Sequence, residues 1–119
     1  MAIWACSSRT AAVRFIIAAR FQRLRRLERL ERQIDMAAAT AGLAHELQKE
    51  RGLTNLFLAS NGDDFAADRA AQADRCRDSG QAVLKSFADL DRLAEPPRLL
   101  AAVERAATAV AELEGIRRA

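Results

Sequence analysis

Apolar positions recur every three or four residues along almost the whole chain, a spacing that predicts helices and no strand. Residues 1–8 show no clear pattern and are expected to be irregular, with Ser7, Ser8 or Thr10 as candidate caps. From there a helix is predicted to about Ala59. Leu24, Leu27, Leu30 and Ile34 open its stripe, and Ala37, Ala41 and Ala44 continue it. The stripe then drifts round to Leu43, Leu47, Thr54 and Leu58, as a straight helix drifts against a strict heptad. Gly42 and Gly52 weaken this helix, and a kink or break is expected near Met36–Gly42. Ser60-Asn-Gly-Asp-Asp64 reads as a turn, with Asp63 or Asp64 capping a second helix to about Leu93. That helix carries a stripe of Ala66, Ala70, Ala73, Cys76, Gly80, Val83, Phe87 and Leu90. Pro96-Pro97 starts a third helix, with a seam of Leu99, Val103, Ala106, Val110 and Leu113. The expected fold is all-α: long antiparallel helices in a three-helix up-down bundle.

One position disturbs the pattern. Arg51 lies at i+4 from Leu47 and is expected to share the core-facing stripe. A guanidinium keeps its charge, so burying it costs several kcal/mol unless something negative pairs with it. Gln48 and Asn55 lie at i−3 and i+4 from Arg51, so one helix patch holds a cation and two amide donors. A small planar oxyanion fits such a patch. Two other readings stay open: an ion pair with Asp74, Asp78 or Glu104, or an arginine reaching past the stripe into water.

Composition adds a constraint on size. At 119 residues the chain is at most one ordinary domain, and much of its apolar half is alanine. Alanine faces bury little area, so an oligomer or a portion of something larger is expected. Charge is uneven: residues 1–32 hold eight arginines against Glu28 and Glu31, whereas acids outnumber bases in the remainder. We therefore separate a basic N-terminal helix or arm, 1–34, from a helical bundle, 35–119. A solvated face, partly paired through Glu28 and Arg32, explains the arm more simply than nucleic acid or anionic lipid.

Chemistry for catalysis is missing from the pattern. His45 is the single histidine and falls away from the Leu47/Leu58 stripe. No zinc ligand set, P-loop or nucleophile–base pair is visible, so no catalytic residue, metal or cofactor is expected and the chain does not read as an enzyme. Cys6 and Cys76 lack metal-ligand spacing and read as incidental thiols in a reducing compartment. No stretch reaches the length of a membrane span, and no signal peptide is convincing; the expected location is the cytoplasm.

Residues 43–60 bear a resemblance. Leu47-Gln48-Lys49-Glu50-Arg51-Gly52-Leu53, followed by Leu58-Ala59-Ser60, resembles the signature of the NIT domain, the nitrate- and nitrite-sensing domain of bacterial regulators. The likeness is specific over 43–60 and looser over 35–115. It implies an all-helical bundle that holds nitrate or nitrite between helices by arginines, and it places Arg51 among them. It also implies an output partner, such as an antiterminator module, a chemoreceptor signalling region, a kinase or a cyclase. A full domain of that family is about twice as long as residues 35–119, so the chain reads as the first half of such a sensor. The competing expectation is a ligand-free module that dimerises through the Leu99–Leu113 seam.

Overall fold

A computed structural model describes the backbone of residues 2–118 and the side chains of residues 7–118. It contains α1 (Ala2–Ala59), α2 (Ala66–Ala88) and α3 (Pro97–Arg118), with no strand among the described residues. The all-α expectation holds. No described helix is long and apolar enough to cross a membrane.

Helix α1 differs from expectation at both ends of its first half. It begins at Ala2, so Ser7, Ser8 and Thr10 lie inside it rather than capping it, and the Thr10 hydroxyl donates back to the Ser7 carbonyl at 2.9 Å. It also runs unbroken through Met36–Gly42. The alanine-rich sequence there is strongly helix-forming and outweighs one glycine. The helix ends where expected. Asn61 (φ 54°) and Gly62 (φ 82°) are left-handed, and their N–H groups donate to the Leu58 and Phe57 carbonyls. This is the Schellman arrangement, which satisfies the last carbonyls of a helix.

Helix α2 is shorter than predicted. Its N-cap is Phe65, itself left-handed and without a side-chain cap, while the Asp64 carboxylate accepts the Phe65 N–H. Its last turn ends at Ala88, and Asp91 organises the turn that follows by accepting N–H groups from Leu93, Ala94 and Glu95. Helix α3 opens at Pro97, as its ring geometry favours.

The chain divides into two compact units, Met1–Glu31 and Arg32–Ala119. The first is a helical segment whose large apolar side chains, from Val13 to Leu30, are exposed. Cys6 lies outside the described side chains. The second unit is the three-helix bundle. Its core is Leu43, Val83, Phe87, Leu90 and Val103, with Met36, Leu47, Leu84, Leu99 and Val110 packed around it. Such side chains contribute about 1.5–3 kcal/mol each on full burial, so this core is thin. The Gln33 amide to Glu95 and Arg117 to Glu50 tie α1 to the beginning and end of the α3 region, and Arg77 to Glu114 ties α2 to α3. Leu99, Val103, Ala106 and Val110, the seam from which the sequence suggested a dimer face, pack against the core of this bundle.

Candidate functional site

The second half of α1 carries two seams, each with alternating three- and four-residue spacing. The inner one is Met36, Ala39, Leu43, Glu46, Glu50, Leu53, Phe57 and Ser60, all buried or half-buried. The outer one is Ile34, Ala37, Ala41, Ala44, Gln48, Arg51, Asn55 and Leu58, all exposed. Each outer residue precedes an inner one by two positions. Two residues turn a helix by roughly 200°, so the seams occupy opposite faces.

This geometry corrects the expectation for Arg51. The arginine does not face the core; it stands on the outer face, exposed, beside exposed Gln48 and Asn55. Leu58, taken as its neighbour on a buried stripe, is 64% exposed. The cost of burying a cation therefore does not apply within this chain. Of the three carboxylates offered as partners, Asp74 pairs instead with Arg77 at 2.8 Å and Glu104 with Arg92 at 3.2 Å, and no ion pair joins Asp78 to Arg51 among the described residues. Among the described residues, Arg51 makes no ion pair. Its helical neighbours at i±3 and i±4 are Leu47, Gln48, Thr54 and Asn55, with no acid among them. The three expected side chains are thus brought together on one face, but neither α2 nor α3 covers it.

The charge that does face inward is Glu50. Its carboxylate accepts from Arg117 Nε at 3.1 Å and Arg117 Nη2 at 2.5 Å. Arg117 also donates to Glu114 at 3.2 Å. Burial disfavours the charged form of Glu50, but Arg117 outweighs it and holds the carboxyl below its ordinary range. The Arg117 guanidinium is correspondingly raised, chiefly by its hydrogen bonds to Glu50. Gln72 is 2% exposed and donates to both the backbone carbonyl and the carboxylate of Glu46. That bond, followed by one from Lys49, keeps the Glu46 carboxyl low. Cys76 lies between these groups. Burial first, and then the Glu50 carboxylate, push its thiol up to about 11.

An open groove of about 580 Å³ runs beside this network, lined by residues that include Glu50, Phe57, Arg69, Arg77, Ile116 and Arg117. Three arginines suggest an anion site, but Arg77 and Arg117 are already matched by Asp74, Glu114 and Glu50. Only Arg69 stands without a carboxylate in contact, with its guanidinium 4.9 Å from the Phe57 ring centroid. The groove therefore offers less unmatched positive charge than its arginine count implies. No group of His, Cys, Asp and Glu side chains among the described residues could hold a metal ion.

Sequence reasoning missed the inward Glu46–Glu50 pair. The signal was available in the spacing Leu43, Glu46, Glu50, which keeps step with Met36 and Ala39 as well as Leu47 does. A family model described as nitrate and nitrite sensing matches residues 42–119, well over half of the chain. No curated protein and no solved structure matches it significantly.

Proposed function

Because the chain belongs to the nitrate- and nitrite-sensing (NIT) family, we propose that it binds nitrate or nitrite at Arg51, with Gln48 and Asn55 as flanking donors, and passes the event to an output module. The observation that carries this is the unmatched charge of Arg51. It is the motif arginine, no carboxylate neutralises it, and two amides flank it on the same face. A planar oxyanion accepts the parallel N–H bonds of a guanidinium, and side-chain amides one turn away on either side can supply further donors.

Exposure bears on how such a site would act. In open water a single guanidinium–anion contact is worth little and is screened by salt. Selective binding needs the Arg51 face to be covered by another surface in the bound state. A ligand shifts an equilibrium only by its differential affinity for two states, and covered against uncovered Arg51 is such a difference. The inner seam plays no direct part in binding; it fixes α1 on α2 and α3 so that the outer seam is presented rigidly.

The test is calorimetry with nitrate, nitrite and chloride on the wild type and on Arg51→Ala, after circular dichroism shows both to be equally helical. Nitrate or nitrite heats above those of chloride, lost in Arg51→Ala, are expected. Identical heats for the two proteins would remove Arg51 from any sensing role.

A further inference from the structure

We propose that the basic stretch of α1 from Val13 to Leu27 is an interfacial helix. It lies flat on an anionic phospholipid bilayer, with an apolar arc at the acyl boundary and arginines on the phosphates. The proposal concerns the first compact unit alone and does not depend on anion binding at Arg51.

The apolar side comes first. Val13, Ile16, Ile17, Phe21, Leu24 and Leu27 are each between 53% and 62% exposed. At roughly 100° per residue all six fall within an arc of about 140° on one side of the helix. Ala18 and Ala19 lie outside that arc, so apart from Arg20 it presents large apolar side chains throughout. Single apolar residues on a surface are ordinary, but six large ones on adjoining turns form a contiguous patch, and such patches mark contact surfaces.

The remainder of the stretch is cationic. Arg14, Arg23, Arg25 and Arg26 fall outside the arc and are exposed. No Asp or Glu precedes Glu28 in the chain, so Arg14, Arg20, Arg23 and Arg26 have no acid at i±3 or i±4. Arg20 and Arg23 line a shallow hollow of about 180 Å³ together with Phe15, Ile16 and Ala19. Two guanidinium groups beside apolar side chains suit a phospholipid at its headgroup boundary. Their forks match phosphate oxygens, and the aliphatic stem of Arg20 lies along apolar surface while its head reaches outward. A solvated face accounts for these arginines but not for the apolar arc beside them.

Charge and apolarity together select the occupant. A second copy would bring the same arginines against one another, with no acid before Glu28 to match them. Nucleic acid would match the arginines but offers nothing to the aliphatic side chains of the arc. An anionic bilayer offers both, phosphates at its surface and acyl chains about 5–10 Å below. A helix with arginine on its polar face and Phe and Leu opposite has the composition that lies in this interface. Five arginines between Val13 and Leu27 hold the stretch at the surface rather than across the bilayer.

The experiment is flotation of the full chain with two kinds of vesicle, in low and high salt. One is phosphatidylcholine alone, the other three parts phosphatidylcholine to one of phosphatidylglycerol. Binding is expected on the anionic vesicles only, and weaker in high salt. Arg20→Gln with Arg23→Gln should weaken partitioning roughly thirtyfold, about fivefold for each arginine at such a surface. Ile17→Gln with Leu24→Gln keeps every charge and should weaken it at least about tenfold. All four positions are exposed, so circular dichroism should show both variants as helical as the wild type. Failure to float on anionic vesicles, equal binding to neutral ones, or flotation unchanged in Ile17→Gln with Leu24→Gln overturns the proposal. So does a chain that does not float but binds single-stranded RNA in fluorescence anisotropy, or self-associates through Ile17 and Leu24 in sedimentation velocity. None of these outcomes bears on nitrate at Arg51, which calorimetry reads independently.

Discussion

Glu50 and Arg51 are adjacent in the motif and face opposite ways, so paired substitutions at the two positions measure which face matters to the fold. Glu50→Gln keeps the side chain's shape and removes its charge. The ion pair with Arg117 is partly buried, with 21% and 16% of the two side chains exposed. Exposed pairs contribute about 0–1 kcal/mol, whereas removing one partner of a buried pair costs about 3–5 kcal/mol. This pair falls between those limits. Glutamine retains one acceptor, and Glu114 still compensates Arg117. The expected loss is therefore about 2 kcal/mol, or roughly 1 M in the urea midpoint of a small domain. Arg51→Ala, at an exposed position without an ion pair, should change stability by less than about 0.5 kcal/mol. The pH dependence has a definite sign. Glu50 has a folded-state pKa below its unfolded one, so its contribution is present above the unfolded value and is lost as pH falls through the folded value. Urea titrations followed by circular dichroism should show the wild-type advantage at pH 7 and its progressive decline as the pH is lowered below the ordinary carboxylate range. A Glu50→Gln protein as stable as wild type at pH 7, or an Arg51→Ala protein that loses more, would refute the assignment of inner and outer faces.

Two further outcomes follow from the same packing. Buried Cys76, its thiol raised to about 11, should react with Ellman's reagent at pH 8 far more slowly in the folded protein than in urea. Since the folded value lies above the ordinary 9.0, this thiol's contribution to stability should be intact below pH 9 and decline between pH 9 and 11. A side chain at Gly52 would meet nothing within 4 Å, so Gly52→Ala should stabilise α1 by about 0.5–1 kcal/mol, read as a rise in thermal midpoint.

Much of the fold was legible because its signals are local. Asn61-Gly62 ends α1 through left-handed geometry that neighbouring residues dictate, and Pro97 opens α3 for an equally local reason. On α2 the stripe of Cys76, Gly80, Val83 and Phe87 was readable because its opposite face is charged, which leaves only one apolar side to bury. Helix α1 was ambiguous in its very construction. Both of its seams contain large apolar residues, and both contain polar ones: Gln48, Arg51 and Asn55 on one, Glu46 and Glu50 on the other. Which set turns inward depends on what the other helices offer. Gln72 on α2 and Arg117 on α3 offer partners to carboxylates, so the acidic seam is buried and the arginine is left outside. That choice is made at a distance of 26 residues for one contact and 67 for the other, beyond the reach of any local pattern.

The two-position offset between the faces of α1 makes its length a more sensitive variable than its composition. Inserting two residues after Leu47 would exchange the faces downstream, sending the motif arginine toward the core and its glutamate into water. One residue would turn everything beyond it by roughly 100° and satisfy neither side. Seven residues would restore both alignments. Single-codon insertions and deletions here should therefore be far harsher than substitutions, and length changes tolerated in this helix should come in units of a heptad.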